Sequence, residues 1–143
     1  MEQSTPENEA IVARVYEEAL RFDGNLSKMT ETQRVVYLVE HFMQEVNSGA
    51  SFEQYFRWAS IEELHSILPT LKGLALEVVA SMLEQAMSIA FPEGIPKTES
   101  EKDDLTEWSE DQEEALGALF EPLEDLNGRV MNVLGEFASG YGA

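Results

Sequence analysis

With 143 residues, 43% of them hydrophobic, the chain is long enough for one domain around one core and too apolar for an intrinsically disordered protein. Its formal net charge of −19 would attract basic proteins and repel nucleic acid and anionic membranes, so we expect no direct binding to nucleic acid or membranes. The absence of cysteine excludes disulfides and thiol catalysis. The N-terminal residues are polar and no apolar stretch is long enough to span a membrane, which predicts a cytoplasmic protein.

Apolar residues recur at helical spacing along the chain, and no segment alternates as a half-buried strand would. We therefore predict an all-α fold, a single compact domain of about six to eight helices that spans residues 1–143. The first helix is predicted over roughly 6–21. A capping box of Thr30 and Gln33 opens the second, over roughly 31–47, which Asn47, Ser48 and Gly49 end with residues that tolerate a left-handed cap.

Further helices are predicted before the breaker cluster at 92–96. They are a short helix that opens at Ser51, a helix from Ser60 to Leu68, and a long helix that begins at Pro69 or Thr70 and runs to about Ala90. The short helix carries Tyr55, Phe56 and Trp58. These three rings could form a stacking platform for a base, but packing in the core is favoured because so acidic a chain repels nucleic acid.

Composition changes after the breaker cluster, since residues 97–143 hold 13 of the 28 acidic residues and only three of the nine basic ones. We call residues 97–114 the acidic segment. Nine carboxylates lie in it, opposed after Lys97 only by Lys102: Glu99, Glu101, Asp103, Asp104, Glu107, Glu110, Asp111, Glu113 and Glu114. If 99–114 formed one helix, they would be spaced about 2.7 Å apart along its axis, against about 1.7 Å per charge in duplex DNA. A solvated surface segment would show the same pattern.

From Ser109, near the end of the acidic segment, the chain is predicted to return to the core. Ser109 and Gln112 form a second potential helix start, and Pro122 interrupts or restarts the helix. The apolar residues predicted to continue a buried face are Leu123, Leu126, Val130, Val133, Leu134 and Phe137. The carboxylates Glu121, Glu124 and Asp125 could extend the acidic surface.

Residues 45–56 read Glu-Val-Asn-Ser-Gly-Ala-Ser-Phe-Glu-Gln-Tyr-Phe and resemble the signature of a bacterial all-helical family, the DNA-mimic-protein-like domain. In that signature a long helix ends in Glu-(apolar)-Asn, and a Gly-rich break precedes Phe-x-Gln-Tyr-Phe. The matching residues, which we call the motif, are Asn47, Gly49, Phe52, Gln54, Tyr55 and Phe56. The break is one residue longer here, and Arg57-Trp58-Ala59-Ser60 replaces the family's Asn-Ser-Ser-Gly. The resemblance implies an acidic homodimer that occupies the DNA-binding surface of a basic protein.

Other kinds of site find little support in the sequence. His41 and Glu45 are spaced as a metal pair would be, but zinc needs at least three protein ligands, so a structural hydrogen bond or a surface position is favoured. The pairs at 103–104 and 110–111 could ligate a divalent cation, yet neither follows the calcium-loop pattern. No phosphate loop or nucleophile elbow is present. We therefore expect no catalytic residue, no metal and no cofactor.

The leading hypothesis is a DNA mimic whose acidic segment occupies the DNA-binding surface of a basic protein such as a transcriptional regulator. The alternative is a helical interaction module that binds its partner in an apolar groove near residues 52–58, with acidity serving only solubility.

Overall fold

The computed structural model describes residues 2–141, and within them the chain is helical and has no strand. The α-helices, named α1 to α9 in chain order, are Pro6–Ala19, Glu31–Gly49, Glu53–Trp58, Ile61–Gly73, Glu77–Ala90, Glu99–Leu105, Glu110–Ala118, Phe120–Glu124 and Asn127–Ala138. Two 3-10 turns, Leu20–Phe22 and Leu26–Lys28, join α1 to α2. The predicted all-α, single-domain fold is confirmed.

Helix α2 lies at the centre of the domain, in contact with α1, α3, α4, α8 and α9. Its capping box forms as predicted, because the Gln33 backbone N–H donates to Thr30 Oγ1 at 3.2 Å and the Thr30 N–H donates to Gln33 Oε1 at 2.9 Å. The side chains of Val39, Phe42 and Val46 are fully buried along its inward stripe. One central helix thus supplies a continuous part of the core.

Helix α1 packs along α9, and a buried amide joins the two ends of the chain. Asn132 of α9 is 8% exposed, and its Oδ1 accepts hydrogen bonds from the Thr5 N–H and from Asn8 Nδ2, each at 3.0 Å. Gly135, one turn further on, leaves room for the Asn8 side chain against the α9 backbone. The N-terminal helix is therefore an integral part of the domain.

The prediction that a helix begins at Pro69 or Thr70 is wrong. Pro69 lies inside α4, and the break between α4 and α5 falls at residues 74–76. There Ala75 adopts a left-handed conformation with φ 59°, and the Leu76 N–H donates to the Leu71 carbonyl at 3.0 Å. These contacts end α4 in a Schellman-type turn. Glycine usually marks such a turn in a sequence, and because alanine stands here the sequence does not indicate it.

The predicted end of α2 is also displaced. The helix continues through Gly49, and the left-handed residue is Ala50, with φ 51°. Two aromatic residues predicted to be buried are exposed, Trp58 by 70% and Phe137 by 39%. Each exposure follows from the position of the residue around its helix. The buried stripe of α9 follows Val130, Leu134 and Ala138, so Phe137 lies at its edge. The six-residue α3 buries only one face, and Trp58 lies outside it.

None of the helices between residues 2 and 141 combines the length and the apolarity that crossing a bilayer requires.

Candidate functional site

The aromatic part of the motif lies in the core. Phe52, Tyr55 and Phe56 are fully buried. The Tyr55 ring packs edge-on against Phe42 with centroids 4.9 Å apart, and the Phe56 ring packs against Phe91 at 5.2 Å. The rings that the alternative hypothesis places in a groove are thus turned inward, and of the aromatic residues at 52–58 Trp58 is the exposed one.

The polar motif residues fix how α2 meets its neighbours. Asn47 Nδ2 donates to the Met43 carbonyl at 2.6 Å, and Asn47 forms a reciprocal amide pair with Asn127 of α9 at 2.9 and 3.2 Å. Gln54 Nε2 donates to the Glu45 carboxylate at 2.7 Å. A Cβ at Gly49 would lie 3.0 Å from the Gln54 side chain, so Gly49 keeps this corner compact.

All nine carboxylates of the acidic segment are exposed to solvent. They do not lie on a single helix, so the spacing of about 2.7 Å between carboxylates, calculated for one continuous helix, does not apply. Helix α6 carries four of them, helix α7 carries four, and Glu107 lies in the break between the helices. The break has a local cause: Ser109 starts α7 with its own capping box to Gln112, which forms as predicted.

A buried lysine attaches α6 to the rest of the domain. Lys102 is only 4% exposed, and its Nζ donates to the carbonyls of Arg57 at 2.9 Å and Ala59 at 2.5 Å, at the end of α3. One oxygen of Glu99 lies 3.5 Å from the same Nζ, and the other accepts the Ile61 N–H at 2.9 Å. In the sequence Lys102 stands only as a charge opposing the carboxylates, and nothing there marks it as an anchor.

Trp108 and Gln112 attach α7 to the end of α5. Trp108 Nε1 donates to the Ala90 carbonyl at 3.0 Å, and Gln112 Nε2 donates to the Ile89 carbonyl at 2.9 Å. The Arg57 guanidinium lies over the Trp108 ring at 4.9 Å from its centroid. Both acidic helices are therefore held by side chains that satisfy the last carbonyls of neighbouring helices.

Negative charges also face one another across the surface. The pKa of the Glu53 carboxyl on α3 is raised, first by its partial burial and then by the hydrogen bond and the charge of Glu113 on α7. The carboxylates Glu121, Glu124 and Asp125, which follow α7, are likewise exposed. Carboxylates thus lie close together on this part of the surface although they repel one another.

The histidines serve in structural hydrogen bonds. His41 Nδ1 lies 2.5 Å from Glu63 Oε1, and Nε2 lies 3.5 Å from Glu45 Oε1. His65 Nε2 is bonded to the Pro96 carbonyl at 3.0 Å. Between residues 2 and 141, no three His, Asp or Glu side chains are grouped as a metal ion would require.

Comparison with known proteins decides the family. A family model described as DMP19-like protein matches residues 27–139. The chain belongs to the DMP19-like protein family. The match covers α2 to α9, with the motif and the whole acidic segment, and confirms the resemblance to a DNA mimic family. No curated protein and no solved structure matched the chain.

Helix α1 of this DMP19-like protein lies outside the matched range, although it packs on both α2 and α9. The acidic helices lie inside it. The family assignment therefore includes the acidic segment. It does not include the N-terminal helix, which is joined to the matched helices by packing.

Proposed function

We propose that this protein is a DNA mimic that occupies the DNA-binding surface of a basic protein such as a transcriptional regulator. The observation that supports the proposal best is that nine exposed carboxylates lie on and between helices that Lys102, Trp108 and Gln112 hydrogen-bond to neighbouring helices, in a chain of the DMP19-like family. Fixed charges lose little conformational entropy on binding, whereas a flexible acidic tail would have to be ordered. A stiff array of anions is the feature that a DNA-binding surface recognises in a duplex.

In this proposal the partner contacts the exposed carboxylates of α6, Glu107 and the exposed carboxylates of α7. Glu121, Glu124 and Asp125 extend the contact surface. The protein acts by occupying a surface, so the proposal requires no catalytic residue, metal or cofactor. We also propose that it works as a homodimer, because two acidic surfaces would cover a longer stretch of a DNA-binding site, and that it meets its partner in the cytoplasm.

Two variants with equal charge test the proposal. The first neutralises five carboxylates of the acidic segment that bear none of its anchoring contacts, Glu101→Gln, Asp103→Asn, Asp104→Asn, Glu110→Gln and Asp111→Asn. The control neutralises five exposed carboxylates elsewhere, Glu7→Gln, Glu17→Gln, Glu31→Gln, Glu93→Gln and Glu136→Gln. Each variant removes five charges from −19, so a difference between them reports position and not total charge.

The proteins serve as bait in lysate at about 50 mM salt, and the captured proteins are identified and retested in purified form with duplex DNA as competitor. We expect wild type and control to retain a basic DNA-binding protein, DNA to displace it, and the five-carboxylate variant to bind roughly tenfold or more weakly. Capture of no basic or DNA-binding protein by wild type would refute the proposal. Equal weakening of both variants would refute the assignment to the acidic segment.

A further inference from the structure

Trp58 is a large apolar side chain left in water at a rigid position. It is 70% exposed, whereas Tyr55, Phe56 and Ala59 around it are fully buried. Lys102 holds the backbone on both sides of it, through the carbonyls of Arg57 and Ala59. The exposure therefore belongs to a fixed residue at the edge of a packed helix and not to a frayed end.

The helix that ends at Trp58 contacts both helices of the acidic segment. Helix α3, which ends at Trp58, is joined to α6 by Lys102 and lies against α7, where Glu53 faces Glu113. Every Asp and Glu of α6 and α7 is exposed. Trp58 thus lies at the end of a helix that contacts both acidic helices, whose negative charge would attract a cation to this part of the surface.

No cation of the described chain covers the face of the Trp58 indole. Between residues 2 and 141 the cation–π pairs are Arg57 over Trp108 and Arg14 over Tyr141. Arg57 precedes Trp58 directly but is turned to the other indole, at 4.9 Å. The indole of Trp58 is consequently open to a cation supplied from outside.

We propose that Trp58 is the specificity-determining anchor of the acidic surface and stacks against an arginine side chain of the basic partner. This inference rests on the proposed function and adds a partner chemistry to it. A guanidinium group is planar and weakly hydrated, so its face stacks on indole while its N–H edge donates to carboxylates of α6; a lysine ammonium lacks this geometry. The contact selects partners that present an arginine here, which charge alone does not do.

The test uses two defined probes, a peptide of nine arginines and a peptide of nine lysines, titrated by calorimetry at about 25 and about 150 mM NaCl. The variants are Trp58→Ala and Trp58→Leu, the second of which keeps apolar bulk. Val78→Ala is the matched control, because Val78 is another exposed apolar side chain, 60% exposed, near the start of α5. The five-carboxylate variant described above is included.

We expect wild type and Val78→Ala to prefer the arginine peptide by roughly 5- to 30-fold, and both Trp58 variants to lose that preference at both salt concentrations. The five-carboxylate variant should weaken binding of both peptides. If Trp58→Leu keeps the wild-type preference while the five-carboxylate variant loses affinity, the anchor is refuted and the proposed function stands. If neither peptide binds wild type at low salt, both are refuted.

Discussion

The contact between His41 and Glu63 joins α2 to α4 and should make stability depend on pH. Burial acts against charge on both groups. Their mutual hydrogen bond and attraction, together with Glu45 acting on His41 and hydrogen bonds from Ser60 to Glu63, outweigh it, so the pKa of His41 lies above 6.5 and the pKa of Glu63 below 4.5. The contribution of His41 is complete below pH 6.5 and is lost as pH rises through its folded-state pKa. The contribution of Glu63 is complete above pH 4.5 and is lost as pH falls through its own.

The pair therefore stabilises the fold most between about pH 4.5 and 6.5. We expect His41→Gln to lower the free energy of unfolding by about 2 kcal/mol at pH 6, and by less at pH 9, as measured by urea denaturation. His65→Gln is the control, because His65 is exposed and bonded to a backbone carbonyl instead of a carboxylate. A loss in His41→Gln that is the same at both pH values would show that the contact does not depend on charge.

At the scale of the helix, α1 approaches α9 closely at Gly135. A Cβ at Gly135 would lie 2.4 Å from the Cβ of Asn8, so any side chain there must push α1 away. We expect Gly135→Ala to lower the free energy of unfolding by about 1–3 kcal/mol. Gly117→Ala is the control: a Cβ at this position of α7 would meet no atom of another part of the structure within 4 Å, and alanine should stabilise this helix by about 0.8 kcal/mol.

Urea unfolding of both variants measures these effects. Equal changes in Gly135→Ala and Gly117→Ala would mean that α1 is not packed tightly on α9 and that its place outside the family match reflects a loose appendage.

Helix starts that carry a capping box were predictable from the sequence, whereas the ends of α2 and α4 were not. The capping boxes begun by Thr30, Ser60 and Ser109 all form, because each depends on residues three positions apart. The ends of α2 and α4 fall at Ala50 and Ala75, both with positive φ. Alanine adopts that conformation only where tertiary packing imposes it, so no local pattern marks the break.

The exposure of the carboxylates of the acidic segment was predictable, but the contacts that attach the segment to the domain were not. Charged side chains stay in water wherever the chain permits, so the exposure of the nine carboxylates follows from their chemistry. Lys102 instead reaches carbonyls more than 40 residues earlier, and Trp108 reaches one 18 residues earlier. Such contacts depend on how α3 and α5 end in space, which spacing along the sequence does not encode.

At the scale of the whole molecule, the net charge of −19 sets stability and binding against each other. Self-repulsion destabilises the compact state, and salt screens it, with a Debye length that falls from about 30 Å at 0.01 M to about 8 Å at 0.15 M. Exposed ion pairs such as Lys72–Glu84 weaken over the same range, but each contributes little. Added salt should thus stabilise the protein while it weakens binding of a basic partner.

We expect the melting temperature of wild type to rise between 0.01 and 0.15 M NaCl, as measured by circular dichroism. The five-carboxylate variant should melt higher than wild type at 0.01 M and respond less to salt, because less repulsion remains to be screened. A wild-type melting temperature that falls with salt would show that attractive pairs outweigh repulsion on this surface. Ion pairs would then hold the acidic helices in place. The hydrogen bonds of Lys102 and Trp108 indicate the opposite, that these contacts hold the helices although their charges repel.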